Sequence, residues 1–331
     1  MEKLGDPYDP NWDAFQWSTP DWVHVWDDRK SWYPYSRTLK WLSLLRMLRG
    51  YDLVVGHAPF AKIATFYSTL FRKPYALYDA GWIRYLKQNR SGYSRARKGY
   101  GEAPLIFFTN VDTEHMFKEQ GYSKLAYTPF AIDTKQYSPR RNSSEEQNPV
   151  FFHPARHSWD EKGNDRLIIA FARYVQRNPQ AKLAMVEWYQ SPDHLVRSKQ
   201  LVSELGIQGN VLWVPVMSKN RLIEQYRRST AVFDQFLFGA FGTTAPEAMS
   251  CGIPVVGYVD GRLWTRYHDE PPPVINASTV GEIYTAMIAL EDEAVRRRYG
   301  ERGRDWVINN CDSVLVASKQ LEGYNSILSE K

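Results

Sequence analysis

Short apolar runs alternate with longer amphipathic stretches along most of this chain. From Tyr35 to Arg49, Trp41, Leu44, Leu45 and Leu48 recur at i, i+3, i+4 and i+7, which predicts a helix with one apolar stripe. Arg37, Lys40, Arg46 and Arg49 lie off that stripe. The reading is a helix packed on a sheet with a solvated basic face, ahead of a membrane-binding helix. Strands follow at Leu53–Gly56, Tyr75–Tyr78, Leu105–Thr109 and Leu125–Thr128, with helices at Lys62–Phe71 and Val111–Gln120. Before all of these, residues 1–20 are rich in Asp, Pro and Trp and read as an arm, and Trp22–Trp26 reads as a strand.

After a polar stretch, Arg140–Asn148, the alternation resumes. Strands are predicted at Pro149–Phe152, Lys182–Val186, Val211–Val214, Ala231–Asp234 and Pro254–Tyr258. Helices fall at Asp165–Gln176, His194–Leu205, Lys219–Arg228, Thr279–Leu290 and Glu293–Asn309, and Ser313–Leu328 is a last helix. Strands alternating with helices imply parallel sheets covered by helices. The expected division is a first domain over 1–140, a second over 141–312 and a terminal helix over 313–331. Two Rossmann-like halves facing across a cleft would bind ligand at the carboxyl ends of their strands.

The stretch Phe233–Tyr258, FDQFLFGAFGTTAPEAMSCGIPVVGY, carries the chemistry. It reads as a strand end, a glycine-rich loop, a short helix and another strand. Gly239 and Gly242 permit a tight turn, and Gly252 stops the helix. Thr244 and Glu247 have capping-box spacing, with Pro246 in the first turn. Free N–H groups at a helix start behind a glycine loop, here from Gly242 through Thr243 and Thr244, suit a phosphate. On spacing alone, Glu247 caps its own helix as readily as it meets a ligand.

The 331 residues are 43% hydrophobic and 24% charged, enough for two α/β cores. No run of eighteen apolar residues and no signal-peptide layout is present, and Cys251 and Cys311 are the only cysteines. A cytoplasmic protein without a disulfide framework is expected, so the sequons at Asn89, Asn142 and Asn276 are read as accidental. The net charge of +5 is uneven: residues 1–140 hold 20 Lys/Arg against 14 Asp/Glu, the remainder 22 against 23. Between Asp79 and Glu102 there is no acidic residue, while Arg84, Lys87, Arg90, Arg95, Arg97 and Lys98 alternate with Tyr85, Tyr93 and Tyr100. Ser91-Gly92 and Gly99 predict a loop or frayed helix there. Such a segment meets an anionic acceptor or a membrane surface, or is simply a solvated basic loop. No G-x-G-x-x-G lies between strand and helix, and there is no Walker A loop, H-E-x-x-H, C-x-x-C or D-x-D. These absences argue against NAD and metal chemistry.

EAMSCGIPVV, preceded by Gly239-Ala240-Phe241-Gly242, resembles the donor site of family-4 retaining glycosyltransferases of the GT-B fold. The resemblance implies that Glu247 holds the ribose of a nucleotide sugar and that the loop amides hold its diphosphate. That family has a second glutamate eight positions earlier, where this chain has Gly239. HPARHSWDEKGNDRLIIAFARYV resembles the segment whose cations neutralise the diphosphate, with Arg156 and Lys162-Gly163 matching. YDLVVGH, ending at His57, and PFAIDTKQYSP, Pro129–Pro139, resemble the first domain's opening and closing stretches. By position, Glu187, Val216 and Met217 fall near the base, and Asp79 falls where the family carries an acceptor-side histidine. Asp79 would bind a sugar hydroxyl or a proton there, or serve as a cap. The family's first strand and glycine loop have no match before Trp22, so the first domain reads as shortened. In GT-B proteins the last helix crosses back onto the first domain.

The resemblance implies a metal-independent, retaining hexosyltransferase that uses a nucleotide diphosphate sugar and no cofactor. The donor side comprises Gly239, Phe241, Gly242, Thr243, Thr244, Glu247, Glu187, Val216 and Met217, with Arg156 and Lys162 on the diphosphate. The acceptor side comprises Asp79, His57, Arg84, Lys87 and Arg90. The acceptor is expected to be lipid-linked or anionic, with the enzyme peripheral at the cytoplasmic membrane face and no nucleic-acid partner. Two rivals stand beside this reading. A non-catalytic sugar-nucleotide binder accords with Gly239, Asp79 and the short first domain; a GT-B epimerase lacks the extra acidic and histidine residues it would need.

Overall fold

The computed structural model describes residues 42–57, 61–86, 94–139 and 148–329. The expected arm and strand before residue 27, the first half of the helix over 35–49, Lys87, Arg90 and most of the linker lie outside the described residues. Residues 42–48 are helical, and Leu48 is buried as its place on the apolar stripe requires. The chain divides into two compact units, each built on a parallel sheet. Among the described residues, one unit takes those up to Pro129 together with those from Val314 on, and the other takes Phe130–Ser313.

The first unit runs β1 (Val54–His57), α1 (Ala61–Phe71), β2 (Tyr75–Asp79), α2 (Ile83–Leu86), α3 (Ser94–Glu102), β3 (Ile106–Phe108), α4 (Glu114–Glu119) and β4 (Leu125–Tyr127). Its four strands lie in sequence order, all parallel. β2 has a neighbour on each side, and Tyr75, Ala76 and Leu77 are all buried, as an inner parallel strand demands. The terminal helix, here α13 (Ser313–Ser329), returns to this sheet. Ile327 joins Ala76 and Phe107, and Tyr324 sets its ring edge-on to Phe107 at 5.3 Å.

Two expectations for this unit need correction. Residues Val111–Thr113 form a 3-10 turn before α4 rather than the first turn of one helix, because the Thr113 N–H bonds back to Asn110 O at 2.9 Å. Residues Ser94–Glu102 form a regular helix, not a loop or frayed end. Gly99 does not interrupt it: a Cβ there would stand 2.8 Å from Thr65 Oγ1, so glycine lets α3 lie close against α1.

The second unit runs β5 (Val150–His153), α5 (Trp159–Lys162), α6 (Asn164–Arg177), β6 (Lys182–Val186), α7 (Pro192–Glu204), β7 (Val211–Val214), α8 (Lys219–Arg228), β8 (Ala231–Phe233), α9 (Thr244–Ser250), β9 (Val255–Gly257), α10 (Gly261–Trp264), β10 (Ile275–Asn276), α11 (Val280–Ala289) and α12 (Glu293–Cys311). Its six parallel strands are ordered β10-β9-β8-β5-β6-β7. The aromatic rings of Phe151, Phe171, Tyr174 and Phe233 fill the centre of its core. Strand order reverses between β5 and β8, so chain leaving those two strands diverges and opens a crevice at their carboxyl ends.

Residues 130–139, expected with the first domain, pack with the second unit. Arg227 Nε donates to Ser138 O at 2.7 Å, Ser250 Oγ donates to Tyr137 O at 2.6 Å, and Tyr137 is buried. These bonds hold the chain past the division at Pro129, before the polar linker is reached.

Candidate functional site

The crevice between β5 and β8 is where the second unit gathers its charged groups. His153 closes β5, fully buried, with Nδ1 against Phe233 O at 2.7 Å and Nε2 facing Asn164 Nδ2 at 2.8 Å. One nitrogen donates and the other accepts, so the ring is neutral; burial, first of all, holds its pKa down to about 3. Asn164 Oδ1 also accepts the Ser158 N–H at 2.7 Å, which fixes the turn carrying Arg156.

Arg156 pairs with Glu161, five residues on, and its Nε is buried without a partner. Lys162 ends α5, and its carbonyl accepts the Phe236 N–H at 3.2 Å. That bond ties the cationic segment after β5 directly to the loop after β8. The Lys162 ammonium itself makes no hydrogen bond or ion pair among the described residues. Gln235 organises the loop: Oε1 accepts the N–H groups of Leu237 at 3.0 Å and Phe238 at 2.9 Å, and Nε2 donates to Tyr258 O at 2.9 Å. The backbone N–H groups from Gly239 to Thr243 have no acceptor among the described residues.

Gly239 has φ +67°, and a Cβ there would come within 2.9 Å of Asp260 Cβ. Its carbonyl is held by the Asp260 N–H at 3.0 Å and Trp264 Nε1 at 3.1 Å. This backbone has no room for a glutamate. Phe241 turns away from the loop and is buried against Trp264, ring centroids 4.3 Å apart, beside Trp306. Its ring is therefore part of the core, because three large rings bury more apolar surface together than a loop exposes, and only its backbone N–H is left to face a donor.

The capping box expected at Thr244 and Glu247 is not formed. Thr243 is the N-cap of α9 and makes no side-chain cap bond. Glu247 is buried, and its carboxylate instead collects three distant donors. Oε1 accepts Lys219 Nζ at 2.6 Å and Tyr137 OH at 3.2 Å, and Oε2 accepts Tyr226 OH at 3.0 Å. A carboxylate has about four acceptor positions, so about one is left for a further donor. Burial, with the Glu247 charge behind it, raises both tyrosine pKa values.

Glu187, after β6, pairs with Lys199 at 2.5 Å. Beside it Trp188 and Tyr189 stand exposed, and the His157 N–H donates to Trp188 O at 2.6 Å. Val216 and Met217 lie half-buried between β7 and Ser218, the N-cap of α8. Lys219, Tyr137, Tyr226 and Asp234 were not singled out in the sequence. Lys219 and Tyr226 come from α8, Tyr137 from the stretch before the linker and Asp234 from the end of β8, and no spacing relative to Glu247 marks them.

In the first unit Asp79 is fully buried and saturated. Oδ1 accepts the N–H groups of Gly81 at 2.5 Å and Trp82 at 2.7 Å; Oδ2 accepts the Ile83 N–H at 3.0 Å and Tyr100 OH at 2.5 Å. Burial pushes its pKa up and these four bonds pull it back. It caps the start of α2 and leaves no acceptor position for a sugar. Arg84 makes a double hydrogen bond to Asp112, at 2.8 and 2.6 Å, so it is not an unopposed cation. His57 ends β1 with its ring 4.7 Å from that of Tyr78.

Residues 135–263 match the family described as Glycosyl transferases group 1. A D-inositol 3-phosphate glycosyltransferase of Rhodococcus jostii is 32% identical over 143 residues, covering 41% of this chain and 31% of the relative. That of Mycolicibacterium smegmatis is 40% identical over 72 residues, or 22% of this chain and 16% of the relative. The aligned stretches thus span about a third or less of those curated relatives. Among solved structures, Anabaena HepE in complex with UDP and glucose has a TM-score of 0.71 at 17% identity, covering 92% of this chain and 86% of that one. Sucrose-phosphate synthase of Thermosynechococcus elongatus has a TM-score of 0.69 at 17% identity, covering 90% and 79%. At that identity the likeness is one of fold, the GT-B type with two parallel sheets.

Proposed function

Since residues 135–263 belong to the group 1 glycosyl transferases, we propose that this chain moves a hexose from a nucleotide diphosphate sugar to an acceptor, with retention at the anomeric carbon. In this reading the bond from the anomeric carbon to the diphosphate oxygen breaks. The acceptor hydroxyl bonds to that carbon from the same face, and its proton passes to the leaving phosphate oxygen. Lys162 and Arg156 hold the diphosphate and stabilise the charge that develops on it. The free N–H groups from Gly239 to Thr243 add donors to the same oxygens. Glu247 takes a ribose hydroxyl at its remaining acceptor position, and Val216 and Met217 border the base, with Glu187 nearby. The UDP and glucose bound by HepE make a UDP-sugar the first donor to try.

The observation that carries this reading is the bond from Phe236 N–H to Lys162 O at the reversal of strand order. It ties the segment that carries Lys162, whose ammonium is unpaired among the described residues, to the loop whose amides are unpaired, which supports an anion site assembled from two segments. Lys162→Ala should weaken nucleoside diphosphate binding by roughly 1.5–3 kcal/mol and leave the bare nucleoside unchanged. Arg156→Ala should cost less, because Glu161 already occupies that guanidinium. Titration calorimetry decides it, and equal losses for nucleoside and diphosphate would remove Lys162 from the phosphate.

The acceptor side of the proposal is an anionic substrate or surface met by the basic stretch through α3. Among the described residues no helix is long and apolar enough to cross a membrane. A peripheral contact predicts co-sedimentation with anionic but not neutral vesicles, at up to about 1 kcal/mol per cation. Replacing Lys87, Arg90, Arg95 and Arg97 by Ser should abolish it, whereas binding that survives those changes sinks the idea. A non-catalytic nucleotide-sugar binder is the second reading, favoured by the closed position at Gly239 and the saturated Asp79. Such a protein would bind the donor and release no diphosphate.

A further inference from the structure

Asp234 is left without a role by the chemistry above. It follows β8 directly, its N–H donates to Val256 O at 3.0 Å, and the residue is only 3% exposed. Its carboxylate accepts no hydrogen bond among the described residues, and Oδ2 is sealed from solvent. An unpartnered buried carboxylate is costly to keep; Asn at this strand end would lessen the cost and Leu would remove it. Two charges face it from other elements, Lys162 from α5 and Glu247 from α9. Lys162 is the cation of the pair, yet it forms no ion pair with Asp234.

The end of β8 therefore holds an acceptor, and the end of α5 holds a cation, each unfilled and neither satisfying the other. One ligand fills both if it offers an anionic oxygen and a hydroxyl close together, as a sugar phosphate does. A phosphate alone satisfies Lys162 but brings more negative charge towards Asp234 and Glu247. Gly239 cannot supply a carboxylate to this space, because any side chain there collides with Asp260. We propose that Asp234 accepts a hydroxyl of the donor sugar at Oδ1, the oxygen that is not sealed, and so selects nucleotide sugars over bare nucleoside diphosphates. This rests on the donor-binding reading of the same crevice and adds a specificity residue to it.

The test is calorimetry of the intact protein and its Asp234→Asn variant. The probes are UDP, GDP and ADP, their sugars, and the monodeoxy analogues of whichever nucleotide sugar the wild type binds. The wild type should bind that nucleotide sugar about tenfold or more tighter than the analogue lacking the contacted hydroxyl, as for a hydrogen bond to a charged group. Asp234→Asn should lose that discrimination while keeping its affinity for the bare nucleoside diphosphate. A merely structural Asp234 would not couple to one sugar hydroxyl. The variant should unfold at an equal or higher temperature, since it removes an unpartnered buried charge. If it fails to fold, the wild-type series decides alone: no hydroxyl whose loss costs affinity overturns the proposal. Equal discrimination in wild type and variant overturns it as well, with the donor reading intact. A wild type that binds neither UDP, GDP and ADP nor their sugars overturns both.

Discussion

Glu247 shows how much of a site can be read from one residue and where that reading stops. A glycine loop followed by a short helix marks this glutamate in the sequence, and the structure puts it beside the crevice. What it touches was not legible there. Tyr137, Tyr226 and Lys219 lie 110, 21 and 28 residues away, and local spacing only offers the capping bond three residues back. Glu247→Gln turns one oxygen into a donor facing other donors. A stability loss of about 1–3 kcal/mol is expected, against near-neutrality for a pure cap. Denaturant unfolding measures it, and an unchanged midpoint would contradict the three-donor arrangement. Asp79 gives the same lesson in reverse: its position left the acceptor side and a cap both open, and its four bonds make it a cap.

Among the elements, apolar runs bounded by polar residues were the legible part. Lys182–Val186, Val211–Val214 and Lys219–Arg228 form over the expected residues because each carries a clear period and a polar boundary. β10 and α10 were missed, being two and four residues long with no period to read. The helix α3 was misjudged because Gly99 looks like a breaker in sequence, while its use is contact with α1. The loop after β8 holds the firmest prediction at this scale. Gly239 combines a left-handed φ of +67° with a Cβ position 2.9 Å from Asp260. Gly239→Ala should therefore destabilise the second unit by about 1–3 kcal/mol and weaken nucleoside diphosphate binding by disturbing the loop amides. A variant as stable as the wild type would show that the loop tolerates a side chain.

For the whole molecule, alternation along the chain implied two parallel sheets, and two are present, with four and six strands among the described residues. The strand order of the second sheet was not legible, because pairing between β5 and β8 joins strands nearly eighty residues apart. That order is what opens the crevice on which the donor-binding account depends. A donor present at a hundred times its Kd should stabilise the protein by about 2.7 kcal/mol, visible as a thermal shift. Turnover goes further than binding. The most direct measurement incubates the protein with UDP-, GDP- and ADP-sugars and a panel of hydroxyl and phosphate-bearing acceptors, and follows nucleoside diphosphate release and product anomeric configuration. The account predicts release with one donor, a product of unchanged anomeric configuration, and loss of both in Lys162→Ala. An inverted product, or tight donor binding with no release on any acceptor, would contradict it.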